Sequence, residues 1–150
     1  MNIFRVLPNY APTVSDINHA VAYLKTLPQL EFKVKHYFSP GIYQREIFMP
    51  AGSRVIGKVH ATRHLNTIIK GRVTLWTIYG RQDLEGPCTF ESMAGEQKCL
   101  LMHTDTIWMT THPNPNNETS QEILENIFIR PQEQKQLFPE LDSQLLLGDI

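Results

Sequence analysis

From Glu31 to His112 the chain is cut into short β-forming runs by glycine and proline turns, and this punctuation restricts its fold more than any other feature. Phe32, Val34, His36 and Phe38 alternate with Lys33, Lys35 and Tyr37 until Pro40-Gly41 breaks the run. Tyr43 to Met49 is a second run, ended by Pro50-Ala51-Gly52. Arg54 to Lys58 and Leu65 to Lys70 follow, and after Gly71 comes the β-branched and aromatic stretch Arg72 to Tyr79. Gly80-Arg-Gln-Asp83 reads as a hairpin turn, and Cys88 to Glu91, Lys98 to Met102 and Thr106 to Thr111 are three more strands. Side chains in a strand alternate between faces, so runs of this length and residue type bounded by turn formers are strands rather than helices. Many of them in series predict an all-β sandwich or small barrel.

Helical signals flank this centre. Thr13 and Asp16 have capping-box spacing, and Ile17, Ala20, Val21 and Leu24 recur at helical period before Pro28. After the loop Pro113-Asn-Pro-Asn-Asn117, Thr119 and Glu122 repeat that spacing, and Ile123, Leu124, Ile127 and Phe128 form a stripe that Pro131 closes. The stripe is expected to pack against the barrel or a partner subunit. Leu141 to Ile150 contains Leu145-Leu146-Leu147, an apolar segment expected to dock on the body or on another copy. The organisation predicted is a single domain, with a helical segment over 1–30, a barrel over 31–112 and a helical tail over 113–150.

Composition removes several function classes. A net charge of −1 without a basic stripe argues against nucleic-acid binding. Apolar runs are only a few residues long, too short for a membrane span. Residues 1–8 lack the sustained apolar run of a secretory signal, which predicts a cytoplasmic protein, with Cys88 and Cys99 as reduced, buried thiols.

Chemistry concentrates between Gly52 and Gly71. If that stretch is extended, His60, Thr62 and His64 share one face, and two imidazoles there supply half of a first-row transition-metal site. A hairpin of Lys98–Met102 with Thr106–His112 would return His112 beside Lys98, making His112 the candidate third ligand. His36 is held in reserve because it alternates with apolar residues, whereas His19 lies off its helix's apolar stripe and His103 falls in a turn. Trp76 and Trp108 are expected in the core or an interface. Tyr43 and Arg45 share a strand face whose direction the sequence leaves open.

The segment resembles the first motif of the cupin superfamily, G-x5-H-x-H-x3-E-x6-G. Gly52, Lys58, His60, His64 and Gly71 occupy its defined positions, with Lys58 in place of the first histidine and His64 in place of the glutamate. The second motif, G-x5-P-x-G-x2-H-x3-N, is matched only by Gly95, with Met93 at the proline and Lys98 at the histidine. The chain is also similar to short cupin-like proteins of phages and prophages, through Gly57-Lys-Val-His60, His64-Leu-Asn66, Lys70-Gly-Arg-Val-Thr74, Pro87-Cys-Thr-Phe90 and Asp105-Thr-Ile-Trp-Met-Thr-Thr-His112. That likeness covers about half the chain, from Gly41 to His112.

The resemblance implies a small jelly-roll barrel with a divalent transition metal (iron, manganese, nickel or zinc) on His60, His64 and His112. Lys58, Thr62 and Lys98 would line a site for a small, anionic molecule. The chemistry it allows is an oxygenase, a hydrolase or an isomerase. The alternative is a non-catalytic ligand-binding or assembly module of a phage with a degenerate site. A homodimer is expected, and the compartment is the cytoplasm, the host's if the gene is a phage's.

Overall fold

A computed structural model describes residues 11–130 of the protein. In chain order its elements are α1 (Val14–Lys25), β1 (Lys33–Ser39), β2 (Gly41–Met49), β3 (Arg54–Ile56), β4 (Val59–His60), β5 (His64–Lys70), β6 (Arg72–Thr77), β7 (Gly80–Glu85), β8 (Cys88–Ser92), β9 (Cys99–Met102), β10 (Thr106–Asn114), α2 (Gln121–Phe128) and β11 (Ile129–Arg130). The expected all-β core with a helix before and after it is what forms. Five antiparallel strands in the order β1-β2-β10-β5-β8 make one sheet, and β3-β9-β6-β7 make a second. A two-residue pairing joins β4 to β11. The sheets face one another without hydrogen-bonding into a closed barrel.

Strand alternation builds the core between them. Met49, Ile68 and Trp108 from the first sheet meet Val73, Leu75, Leu100 and Met102 from the second. Burying each aliphatic side chain of this kind contributes about 1.5–3 kcal/mol. The alternate residues of β6 and β9 face outward, where Trp76 and Cys99 pack on Ile17 of α1. That helix starts as its sequence predicts: the Asp16 amide donates to the Thr13 hydroxyl at 3.1 Å, and the Thr13 amide donates to the Asp16 carboxylate at 2.8 Å. Cys88 and Cys99 are free thiols on opposite sheets.

Several expectations need correction. Gly80-Arg-Gln-Asp83 is not the turn but the start of β7, whose Arg81 and Asp83 pair with Trp76 and Thr74 of β6. As an edge strand with polar side chains it carries no apolar alternation to mark it. Strands β9 and β10 do not form a hairpin: β9 pairs with β3 and β6, and β10 with β2 and β5. The intervening residues are a corner between sheets, with the Arg72 amide bonded to the Thr104 hydroxyl and the Ala51 amide to the Asp105 carboxylate. The stretch from Gly52 to Gly71 is not one strand, because residues 61–63 turn the chain between β4 and β5. Helix α2 is capped by Ser120, not Thr119, with the Ser120 hydroxyl accepting from the Ile123 amide. It ends at Phe128, where Ile129 turns into β11. Pro131 and the apolar tail from Leu141 to Ile150 lie outside the described residues.

Candidate functional site

Antiparallel register arranges the inner face of the first sheet in rows. Tyr43 of β2 stands opposite His112 of β10, and the step after Thr111–Leu65 sets His112 opposite His64 of β5, whose own partner on β8 is Ser92. The neighbouring row holds His36, Arg45, Thr110, Asn66 and Phe90. A buried hydrogen-bond chain stiffens this part of the sheet: the Trp108 indole donates to Asn66 Oδ1 at 3.0 Å, and Asn66 Nδ2 donates to Ser92 Oγ at 2.6 Å. Tyr43, Arg45 and Ile47 therefore lie on the face toward the site, Tyr43 buried and Arg45 exposed, settling a direction the sequence leaves open.

His60 arrives separately. It ends β4, is paired with Ile129 of β11, and its carbonyl accepts from the Gly95 amide at 2.8 Å. Its ring centroid lies 4.4 Å from that of His64 and 5.9 Å from that of His112, and His64 and His112 are 4.7 Å apart. The three histidines singled out by the sequence are thus brought together, by a bend and by cross-strand register rather than by one extended segment and a hairpin.

Burial keeps all three rings neutral. It lowers His60 to about 2, aided by repulsion from His64, Lys98 and His112. His64 is lowered to about 4, against a backbone hydrogen bond that opposes the shift. His112 is lowered to about 3 by burial and then by the charges of His64, Arg45 and Lys98. The His64 Nδ1–H donates to the Thr62 carbonyl at 3.0 Å. A neutral imidazole has one N–H, so the lone pair of His64 lies on Nε2. That atom is buried without a hydrogen-bond partner, as is Nδ1 of His112.

This donor set has the chemistry of a metal site: neutral imidazoles, one oriented through its second nitrogen by a carbonyl, with bare buried nitrogens. The rings themselves lie 13° to 35° from parallel, His112 stacked on both others and His60 tilted against His64. As they stand, no group of three or more His, Cys, Asp or Glu among the described residues could hold a metal ion.

The other predicted residues separate. Thr62 turns its carbonyl to His64, and its hydroxyl is buried without a partner. Lys58 does not lie beside Lys98 as a matched cation. It is exposed at the cavity mouth and ion-paired with Glu125 of α2. Lys98 is buried and lines a smaller adjoining pocket with Arg45, His60 and Thr110, and burial lowers its ammonium pKa. His36 is bonded through Nδ1 to the Tyr43 hydroxyl at 2.8 Å, and His103 through Nε2 to the Thr74 hydroxyl at 2.7 Å.

Two contributors escape sequence reasoning. Helix α2 does not merely pack on the barrel: Phe128 stacks on His112 at 4.4 Å, and Leu124 joins Tyr43 and Phe128 in one buried cluster. Arg45 lines the adjoining cavity of about 430 Å³, between the first sheet, β3, β4 and α2. The stripe on α2 was the available signal for Phe128, and no signal in the sequence placed Arg45.

No protein-family model and no curated protein matches the sequence. Solved structures do match. Ectoine synthase from P. lautus superposes with a TM-score of 0.54 at 11% identity, over 70% of this chain and 78% of its own. A salicylate 1,2-dioxygenase from Pseudaminobacter salicylatoxidans gives a TM-score of 0.54 at 11% identity, over 74% of this chain and 34% of its own. The cupin domain of Schizosaccharomyces pombe Cnp3 matches at 14% identity over 61% of this chain and 72% of its own, with a TM-score of 0.47. The fold is cupin-like. This chain spans about a third of the dioxygenase, and at these identities the likeness is one of fold alone.

Proposed function

We propose that this cupin-like chain is a small metal-binding protein whose His60, His64 and His112 hold a divalent transition metal beside a cavity for a small molecule. The observation that carries this reading is the state of His64: its Nδ1–H is committed to the Thr62 carbonyl, so Nε2 presents a bare lone pair inside a cluster of three neutral rings. A buried polar atom left without a partner costs about 1–3 kcal/mol, and a metal removes that penalty at both unpartnered nitrogens. Ligation requires the rings to turn from their stacked arrangement. A bound metal would supply Lewis acidity toward an anionic ligand or water.

The test is elemental analysis of the untagged chain purified without chelator. Near one metal per chain is expected, lost in His60→Ala and His64→Ala and weakened at least about tenfold in His112→Ala. Unchanged metal content in these variants, or no uptake after reconstitution with iron, manganese, nickel and zinc, overturns the assignment.

A non-catalytic binding or assembly module is the second reading. It is favoured by the stacked rings and by lysines at two motif ligand positions, Lys58 tied to Glu125 and Lys98 buried. A folded chain that binds small molecules and takes up no metal would establish it. The segment likeness to short phage and prophage proteins supports a phage or prophage origin and a place in the host cytoplasm. Among the described residues no helix is long and apolar enough to cross a membrane. Exposed Leu65 and Ile69 on β5 support a homodimer.

A further inference from the structure

Resting on the reading of the cavity as a small-molecule site, we infer that Arg45 is a carboxylate anchor and that the ligand is an amphiphilic organic acid, one carboxylate on a compact apolar body. Alternation along β2 sends Glu46 to the opposite face, where it pairs with Lys35, and sets Arg45, which is exposed to solvent, on the cavity face with Tyr43 and Ile47. Among the described residues Arg45 has no carboxylate partner.

The other cations in and beside the cavity are accounted for. Lys58 is neutralised by Glu125, and Lys98 is buried where its ammonium is disfavoured. Arginine stays charged, and its planar fork matches the two oxygens of a carboxylate. Thr110 stands opposite Arg45 on β10 and lines the same cavity, placing a hydroxyl donor beside the fork. Glu125 is the one carboxylate among the described residues lining the cavity, and it is already paired, so an incoming anion meets no free negative charge.

Phe32, Val34, Ile47, Val55 and Leu124 give the wall a hydrocarbon stretch, beside the polar side chains of His36 and Gln121. A volume of about 430 Å³ lies at the small end of ligand pockets, which run from about 300 to 1,000 Å³. Arg45 and Tyr43 are two residues apart on one strand face, a separation of about 7 Å, so a compact acid held by Arg45 reaches the row that contains His112 and His64.

The experiment is an NMR titration of the full chain with benzoate, hexanoate and the uncharged benzamide, with chelator present and again after zinc loading. In the chelated wild-type protein the acids should bind at least about tenfold tighter than the amide. That preference should vanish in Arg45→Gln, return in part in Arg45→Lys, and survive in Lys98→Met. Equal binding of benzoate and benzamide, or binding of none of the probes, overturns the proposal. So does a preference that survives Arg45→Gln, that is lost only in Lys98→Met, or that exists only in the zinc-loaded protein. Metal stoichiometry, measured on the same samples, reports on the histidine site independently: loss of metal uptake leaves the chelated titration standing, and failure of the anchor leaves the stoichiometry standing.

Discussion

Acidifying the metal-free protein from about pH 7.5 to about pH 5 should destabilise it, and the histidine cluster sets the size of the effect. His64 is held neutral in the fold to about 4, whereas in the unfolded chain it takes a proton near its ordinary 6.5. Between those values the unfolded state binds more protons, so the contribution of His64 is complete above 6.5 and is lost as pH falls toward its folded value. One and a half pH units below the ordinary value, at about 1.4 kcal/mol per unit, removes about 2 kcal/mol by pH 5. His112, lowered to about 3, and His60, lowered to about 2, lose the same amount over that interval, because their folded values also lie below it. The ceiling is about 6 kcal/mol, against a typical total stability of about 5–15 kcal/mol. The assay is urea unfolding followed by tryptophan fluorescence, with chelator, at a series of pH values. His64→Gln should retain the direction of the effect and reduce it by about 2 kcal/mol. A wild-type stability that is flat across this range, or a loss equally steep in His64→Gln, refutes the reasoning.

Two further outcomes follow from the scaffold. Gly71→Ala should lower stability by at least about 2 kcal/mol in thermal denaturation, and an unchanged Tm would count against it. At φ +116 its new methyl would meet the Asp105 carbonyl oxygen and the Thr106 Cα, both at 2.8 Å and both backbone. Asn66→Leu should cost about 1–3 kcal/mol in urea unfolding by leaving the buried Trp108 N–H without its acceptor, and wild-type stability in that variant would show the chain of bonds to be dispensable.

The strands were legible because their signal is local. Tyr43 to Met49 and Arg72 to Thr77 carry alternation, β-branching and bounding turns within a few residues, and Thr13 with Asp16 announces α1 in the same way. Strand β7 was not, since an edge strand with exposed polar side chains looks like a turn. The expected hairpin of β9 with β10, which would have set His112 beside Lys98, does not form: the corner at Thr104-Asp105 sends β10 into the other sheet, where pairing with β5 brings His112 to His64. Arg45 faces Thr110 across the sheet and Phe128 stacks on Tyr43, in each case a partner more than sixty residues away that no local window of sequence contains.

The three rings are not mounted alike. His64 and His112 sit on adjacent strands of a five-stranded sheet, braced by the Trp108–Asn66–Ser92 chain. His60 is held by the two-residue pairing of β4 with β11, which follows directly on α2, and by the Gly95 amide on its carbonyl. The cluster therefore joins two mountings, one in the large sheet and one beside the end of α2. Movement of α2 would therefore reach the cluster through His60 first, while His64 and His112 stay fixed by the pairing of β5 with β10.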